Sequence, residues 1–269
     1  MLPRSYLFVP ANRPDRFAKA VASGAEAVIV DLEDSVAESG KSAARRSIAQ
    51  AWGTLRSHAI EAVCMLLIRV NSGESKITGD DLDCCNDLRP DGVMIPKADC
   101  RQSLEEVARR LRLPLFPLVE TARGVQNADE VAAATGVVRL LFGTLDLMLD
   151  LDIQNDDAPL HYARGRIAVA SRAAGLPAPV DGVCADVRSA DRLAFEVERA
   201  RQFGFGAKLC IHPAQLPAIH EGIGVTQEQC DWAQAVLELS EASPGGVATL
   251  GGKMIDAPAI AMARRMLGK

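Results

Sequence analysis

The chain has 269 residues, a length at which one large α/β domain is common. A hydrophobic share of 48% and a charged share of 24% are ordinary for a globular protein that buries a large core. The net charge of −5, with no basic run longer than two residues, argues against a nucleic-acid partner, and no apolar run reaches the ~18 residues that a membrane span needs.

The seven cysteines show no C-x-x-C spacing, which indicates neither a disulfide framework nor a zinc site. The first residues have one arginine and only a brief apolar stretch, unlike a secretory signal. A cytoplasmic location is therefore expected.

Short apolar runs alternate with longer amphipathic segments along the chain. Runs without polar alternation favour strands buried on both faces, as in a parallel sheet. The predicted strands are Tyr6–Pro10, Ala27–Leu32, Met65–Asn71, Gly92–Lys97, Leu115–Glu120, Val138–Gly143, Val180–Val183 and Lys208–His212. The predicted helices between them are Arg13–Ser23, Lys41–Trp52, Ser103–Leu111, Ala128–Ala134, Tyr162–Ala174 and Ala190–Gln202.

Eight such strands predict a (β/α)₈ TIM barrel over residues 1–225, with an open doubly wound sheet as the alternative. Residues 226–269 are predicted to form a C-terminal helical extension. Thr226 is a candidate N-cap of a helix that continues through Leu239. A loop at Ser243–Gly252 and a last helix at Ala259–Leu267 would follow.

Polar residues stand where most of these strands end. In a barrel the carboxyl ends of the strands converge on the face that carries the active site. The converging residues would be Arg13, Asp31, Glu33, Asp34, Arg69, Lys97, Glu120, Asp146 and His212.

Glu120 and Asp146 follow consecutive strands, and two carboxylates with waters and substrate oxygens favour Mg²⁺. The alternative is that one is a helix cap and the other a surface ion-pair partner. Arg69 could bind a substrate carboxylate or stabilise an enolate oxygen, or could pair structurally with Glu33 or Asp34.

The remaining polar residues give weaker signals. His212 could be a general base or a histidine bonded to backbone. Asp31, Glu33 and Asp34 could orient Arg69 or Lys97. Lys97 and Lys208 are weak candidates for a Schiff base.

Together these motifs resemble the citrate lyase β-subunit-like group of the HpcH/HpaI aldolase superfamily. The matching segments span nearly the whole chain in the family's order. They are RSYLFVPANRPDRFAKA, GAEAVIVDLEDSVAESGKSAARR, IRVNS, GVMIPKAD, LVETARGVQNADEVA, RLLFGTLDL, YARGRIAVASRAAGLPAPVDGV, FGFGAKLCIHPAQL and GKMIDAPAIAMARRML.

The resemblance implies a barrel that assembles as a homotrimer or hexamer, its C-terminal extension packing on a neighbouring subunit. It implies Mg²⁺ held by Glu120 and Asp146, a substrate-binding Arg69, and an Asp256 that acts in a neighbouring subunit's active site. Substrate-binding basic residues for the phosphates of coenzyme A (CoA) would correspond to Arg13 and Lys19.

The implied activity is that of a Mg²⁺-dependent carbon–carbon lyase. It would cleave a 3-hydroxyacyl-CoA, such as malyl-, citramalyl- or citryl-CoA, into a 2-oxo acid and an acyl-CoA, or run the reverse Claisen-type condensation. Relatives often carry glycine at Ala11, a glycine-containing connection instead of Asp150, Asp152, Asp156 and Asp157, and other residues at 222–225. These departures leave the substrate open.

Other readings stay open beside this one. The chain could cleave free 4-hydroxy-2-oxo acids, as other aldolases of this superfamily do. Those aldolases use a histidine base early in the barrel, whereas no histidine precedes His58 in this chain. It could hydrolyse a thioester after condensation, or serve a citrate-lyase-like complex as a β subunit acting on an acyl carrier protein. A non-catalytic adaptor would be expected to have lost Glu120, Asp146 or Arg69.

Overall fold

The computed structural model describes residues 2–73, 75–155, 157–242 and 248–268. Eight parallel strands close into a barrel in chain order, and β8 pairs with β1 through Ser5 and Lys208. The strands are β1 Ser5–Pro10, β2 Ala27–Asp31, β3 Met65–Arg69, β4 Gly92–Ile95, β5 Leu115–Val119, β6 Leu141–Phe142, β7 Val180–Asp181 and β8 Ala207–Cys210. The predicted (β/α)₈ barrel is confirmed.

Helices follow the strands and cover the outside of the barrel. They are α1 Phe17–Ala22, α2 Lys41–Glu61, α3 Lys76–Leu88, α4 Arg101–Leu111, α5 Ala122–Gln126, α6 Ala128–Ala132, α7 Thr144–Asp150, α8 His161–Ala173, α9 Ala190–Gln202 and α10 Leu216–Ile223. Residues of α2 show why these segments are helical. Ile48, Trp52, Leu55 and Ala59 recur at intervals of three or four residues, and all are buried.

Several helix boundaries differ from the sequence-based predictions. The predicted helix over Arg13–Ser23 is divided, because a 3₁₀ turn at Pro14–Arg16 precedes α1. The helix predicted to end at Trp52 continues to Glu61, because Leu55 and Ala59 extend its buried stripe. Four further helices, α3, α5, α7 and α10, were not predicted from the sequence.

Strand alternation divides the core into two layers. One hydrophobic cluster contains only strand residues in its buried core and fills the barrel lumen, whereas a larger cluster joins strands to helices. The lumen residues are Tyr6, Ala27, Ile29, Leu67, Met94, Phe116, Leu118, Leu141, Val180, Ala207 and Leu209.

The same alternation directs Asp181 and Lys208 outward, into the layer between the barrel and its helices. Lys208 Nζ lies 3.2 Å from Asp181 and 3.1 Å from Glu196 of α9, and Arg164 of α8 lies 3.1 Å from Asp181. All four residues are buried, so their charges compensate one another there. Lys208 is therefore a structural cation, which argues against a Schiff-base role.

The chain divides into two compact units, Met1–Ile223 and Gly224–Lys269. The second unit contains α11 Gln227–Ala242, the antiparallel strands β9 Ala248–Leu250 and β10 Lys253–Ile255, and α12 Ala257–Met266. It has a small core of its own, built around Ala233, Val236, Ile255 and Ala263.

Side-chain caps set the helix starts in this second unit. Thr226 Oγ1 accepts a hydrogen bond from Gln229 N (3.2 Å), and Gln229 Oε1 accepts one from Thr226 N (3.1 Å), which is a capping box before α11. The predicted loop Ser243–Gly252 was wrong at Ala248–Leu250, which form β9, and residues 243–247 lie outside the described residues. Within the described part of the chain, no helix has the length and apolar character that a membrane span requires.

Candidate active site

Three charged residues follow the lumen-facing positions of their strands. Asp31 lies two residues after Ile29, Arg69 two after Leu67, and Glu120 two after Leu118. Because side chains alternate along a strand, all three point into the mouth of the barrel at its C-terminal face. They are 2%, 8% and 1% exposed, so each charge depends on its neighbours for stabilisation.

Arg69 is surrounded by carboxylates. Its Nε and Nη2 donate to the two oxygens of Asp31 at 2.7 and 2.8 Å, and Nη1 lies 3.0 Å from Glu33 and 3.3 Å from Asp34. The guanidinium also lies over the ring of Phe8, 4.9 Å from its centroid. The structural pairing of Arg69 with Glu33 or Asp34, one of the two alternatives expected from the sequence, is therefore present.

Burial opposes the charges of this pair, but the pairing outweighs it. Burial alone would lower the pKa of Arg69, yet the hydrogen bond and charge of Asp31 and the charges of Glu33 and Asp34 raise it. Burial alone would raise the pKa of Asp31, but Arg69 lowers it. Asp34 is the one of these carboxylates with an exposed side chain, so its contact with Arg69 is the easiest for another anion to replace.

Lys97 joins this charged group to Glu120. Its Nζ lies 3.0 Å from Glu33 Oε1, and its backbone N–H donates to Glu120 Oε1 at 2.8 Å. Lys97 has a φ of 51°, a left-handed conformation that is uncommon for a residue other than glycine. Lys97 therefore combines an uncommon backbone conformation with an N–H that fixes one carboxylate oxygen of Glu120.

The other oxygen of Glu120 lies against Gly143, the residue before α7. A Cβ atom at position 143 would lie 2.5 Å from both Cβ and Oε2 of Glu120, so only glycine fits. Burial, and then the negative charge of Asp146, raise the pKa of Glu120 to about 8. Asp146 stands in the first turn of α7, where the helix dipole favours its charge.

These carboxylates border one cavity of about 940 Å³. Arg13, Lys19, Arg69, Glu120 and Asp146 all line it, so five of the six predicted site residues come together. Asp31, Asp34, Thr144 and His212 also line it. A second cavity of about 1040 Å³ lies along α3 and α4 and is lined by neither Glu120 nor Asp146, so the first cavity is the candidate active site.

The peripheral candidates are each held by local contacts. Arg13 is exposed and binds both oxygens of Asp15 at 2.9 and 2.8 Å, and Lys19 is exposed on α1. His212 Nδ1 accepts from Ala214 N (3.1 Å), which is the backbone-bonded alternative of the sequence analysis. Asp256 belongs to the unit Gly224–Lys269, where its side chain caps α12 through Ala259 N at 2.9 Å.

The donor chemistry of this cavity fits a hard divalent cation. Among the described residues, no three His, Cys, Asp or Glu side chains converge as a complete metal-binding group. Mg²⁺ does not need such a group, because it commonly binds one or two carboxylates and keeps waters and substrate oxygens. Two neighbouring carboxylates, one of them with a pKa of about 8, form a site that a cation would stabilise.

Some site residues had no clear signal in the sequence. Gly143 is part of the FGTLDL motif, but its contact with Glu120 depends on two strands meeting. In the sequence, Phe8 is indistinguishable from the other apolar residues of its strand, and nothing there indicates its contact with Arg69. Thr144 is 2% exposed, and its hydroxyl has no hydrogen-bond partner within the described residues. Its position against Gly182 is likewise a long-range contact.

Comparison with known proteins gives one consistent result. A model of the family described as HpcH/HpaI aldolase/citrate lyase matches residues 4–213. A citrate lyase subunit beta-like protein of Mycobacterium tuberculosis is 36% identical over 270 residues, covering 97% of this chain and 93% of the relative. A (3S)-malyl-CoA thioesterase of Cereibacter sphaeroides is 33% identical over 273 residues, covering 99% and 94%.

The fold comparison agrees. The crystal structure of CitE from M. tuberculosis in complex with magnesium, acetoacetate and coenzyme A superposes with a TM-score of 0.85 at 32% identity, covering 99% of this chain and 97% of that one. The matches extend over the barrel strands and over the motifs that carry Arg69, Glu120 and Asp146. The chain thus belongs to the HpcH/HpaI aldolase/citrate lyase family.

Proposed function

We propose that this protein is a Mg²⁺-dependent carbon–carbon lyase for a small 3-hydroxyacyl-CoA, such as malyl-, citramalyl- or citryl-CoA. It releases a 2-oxo acid and a shorter acyl-CoA, or condenses the two in reverse. The observation that carries the proposal is the pair of a buried Glu120 and a half-buried Asp146, which borders the same cavity as Arg69. The magnesium and coenzyme A of the M. tuberculosis relative support the choice of cofactor and substrate class.

Glu120 and Asp146 would hold the cation. When bound, Mg²⁺ supplies positive charge to substrate oxygens and lowers the cost of negative charge that develops on them. Arg69 would stabilise the enolate oxygen of the acyl-CoA product and bind the substrate's carboxylate end. Because Asp34 is exposed and makes the longest contact with Arg69, we expect a substrate oxygen to replace it.

The remaining residues would bind and move protons. In cleavage, the substrate hydroxyl loses its proton, the C–C bond breaks to give the 2-oxo acid, and the enolate of the acyl-CoA takes up a proton. Asp256, contributed by a neighbouring subunit of a trimer or hexamer, would exchange these protons. Arg13 and Lys19, both at the cavity wall, would bind CoA phosphates, although Arg13 must first exchange Asp15 for the phosphate.

The test is an assay of malyl-, citramalyl- and citryl-CoA with Mg²⁺ and with EDTA, following release of 2-oxo acid. We expect EDTA-sensitive release from one of them. Glu120→Gln and Asp146→Asn should each lower kcat/KM by at least about 100-fold. Silence with all three substrates while Mg²⁺ still binds would contradict the proposal and favour an acyl carrier protein substrate or a free-acid aldolase.

Thioester hydrolysis is a second candidate, favoured by the similarity to the (3S)-malyl-CoA thioesterase. The same reactions distinguish it when free thiol is measured beside 2-oxo acid. Cleavage of the C–C bond gives 2-oxo acid and leaves the thioester intact. Hydrolysis gives free CoA without 2-oxo acid.

A further inference from the structure

Asp150, the last residue of α7, makes a hydrogen bond to the segment that follows Glu120. Its Oδ2 accepts from the backbone N–H of Ala122 at 2.6 Å. Ala122 is the first residue of α5 and lies two residues after Glu120. Asp150 itself lies four residues after Asp146, one helical turn further along α7.

The position of Asp150 is unfavourable for its own helix. A negative charge at a helix C-terminus meets the partial negative charge of the unpaired carbonyl groups. The same charge is favourable at the N-terminus of α5, where the first backbone N–H groups have no carbonyl partner within the helix. The contact with α5 therefore explains why a carboxylate stands at the end of α7, a position that is unfavourable for α7 itself.

The contact attaches α7 at its second end. At its first end, Gly143 N donates to Val119 O at 3.0 Å, and the Gly143 backbone lies against the Glu120 side chain. At its last turn, Asp150 binds Ala122. Asp146 thus lies on a helix that is joined at both ends to the segment bearing Glu120.

We propose that Asp150 is a positioning residue that fixes Glu120 relative to Asp146. The inference rests on the proposed metal-binding function of that pair. Mg²⁺ requires near-octahedral geometry at short distances, so small displacements of one carboxylate lower its affinity. Loss of a hydrogen bond made directly to a metal ligand typically weakens metal binding by about 10- to 100-fold. Asp150 acts through Ala122 and not on the ligand itself, so we expect the lower end of that range.

A purely structural role would give a different result. Thr121 already caps α5, because its Oγ1 accepts from Gly124 N at 3.0 Å. If Asp150 were only one more cap, its loss would lower thermal stability and leave the affinity for Mg²⁺ unchanged.

The test measures the Kd for Mg²⁺ by calorimetry, and the Tm without metal, on the full chain. Asp150→Ala should raise the Kd by about tenfold. Asp150→Asn, which keeps an oxygen that can accept from Ala122, should recover most of the affinity. Asp152→Asn is the matched charge control: Asp152 is exposed and has a φ of 53°, which asparagine tolerates, so its Kd should not change.

Ala122→Pro tests the other side of the hydrogen bond. Proline is well accepted as the first residue of a helix and lacks the N–H that Asp150 binds. We expect Ala122→Pro to raise the Kd as Asp150→Ala does, and the double variant to lose no more than either alone. This variant also decides the question if Asp150→Ala fails to fold.

Three results would overturn the inference. They are an unchanged Kd in both Asp150→Ala and Ala122→Pro, an equal loss in Asp152→Asn, and simple additivity in the double variant. Glu120→Gln in the same titration separates the two proposals. If it binds Mg²⁺ like the wild type, the metal site itself is wrong; if it loses binding while Asp150→Ala does not, only the role of Asp150 is wrong.

Discussion

Glu120 has an environment that opposes its negative charge when no cation is present. Burial and the neighbouring Asp146 raise its pKa to about 8, whereas its ordinary value is 4.5. At neutral pH the carboxyl group therefore holds a proton, which a bound cation must displace. If Glu120 holds the cation as proposed, metal binding and protonation compete at this residue.

We predict that Mg²⁺ binding releases about one proton at pH 7. The Kd for Mg²⁺ should weaken by about tenfold for each unit that the pH falls below 8, because one proton is exchanged for each cation. Calorimetry in buffers with different ionisation enthalpies measures the proton release directly. A binding enthalpy independent of the buffer would contradict the raised pKa.

Glu120→Gln provides the control without metal. A carboxyl group whose pKa is raised by folding contributes stability that is fully present below its unfolded pKa and is lost as the pH rises towards the folded value. Between about pH 4.5 and 8 the wild type should therefore lose stability relative to Glu120→Gln in urea unfolding. An unchanged difference across this range would show that Glu120 is ionised in the cation-free protein.

At the scale of elements, the barrel strands were predictable from the sequence, whereas the turn from β6 into α7 was not. All eight barrel strands were predicted, because strands buried on both faces appear as continuous apolar runs. The predicted strand Val138–Gly143 is only Leu141–Phe142, because Gly143 already begins the turn into α7. That turn cannot be identified locally, since the constraint on Gly143 comes from Glu120, which directly follows β5.

The candidate site follows the same division. The proposed metal ligands Glu120 and Asp146 follow β5 and β6 closely, a position that the order of apolar runs reveals. The residues that hold these side chains in place are not revealed in the same way. The contact of Asp31 with Arg69 spans 38 residues along the chain, and that of Asp150 with Ala122 spans 28. Long-range side-chain contacts of this kind leave no periodic signal, so the number of acids around Arg69 was expected but their arrangement was not.

Gly143→Ala should separate the role of this turn from general stability. The new Cβ would meet Glu120 at 2.5 Å, so either Glu120 or α7 must move, and we expect Mg²⁺ affinity to fall by at least about tenfold. Gly53→Ala is the matched control: Gly53 lies within α2, and apart from its chain neighbours and its own helix backbone no atom lies within 4 Å of the new Cβ. It should keep the affinity and gain roughly 0.5–1 kcal/mol in stability. Equal Mg²⁺ affinity in both variants would contradict this account.

At the scale of the whole molecule, the residues proposed for catalysis belong to two compact units of the chain. Arg69, Glu120 and Asp146 belong to Met1–Ile223, and Asp256 belongs to Gly224–Lys269. Each unit has its own hydrophobic core. A site completed by a neighbouring subunit would make activity a property of the oligomer.

Complementation between inactive subunits tests this sharing. Asp256→Ala and Glu120→Ala proteins should each be inactive alone, but hybrids formed by co-expression should recover about a quarter of wild-type activity per site. An active site needs a barrel with Glu120 and a neighbouring subunit with Asp256. In hybrids each condition is met for half of the subunits, so random assembly in a ring makes about a quarter of the sites complete. Hybrids that form, as shown by size and mass, yet recover nothing would place Asp256 with its own barrel.

The pairing of β8 with β1 also has a consequence for how the chain folds. The barrel cannot close until Ala207–Cys210 reaches Ser5–Pro10, so its last seam joins residues about two hundred positions apart. Contacts of such long sequence separation form late and slowly, because the loop-closure entropy precedes their stabilisation. During synthesis, the edge of β1 that pairs with β8 therefore stays unpaired until nearly the whole first unit has left the ribosome. We expect nascent chains to be most prone to aggregation in this period, while the edge of β1 is exposed.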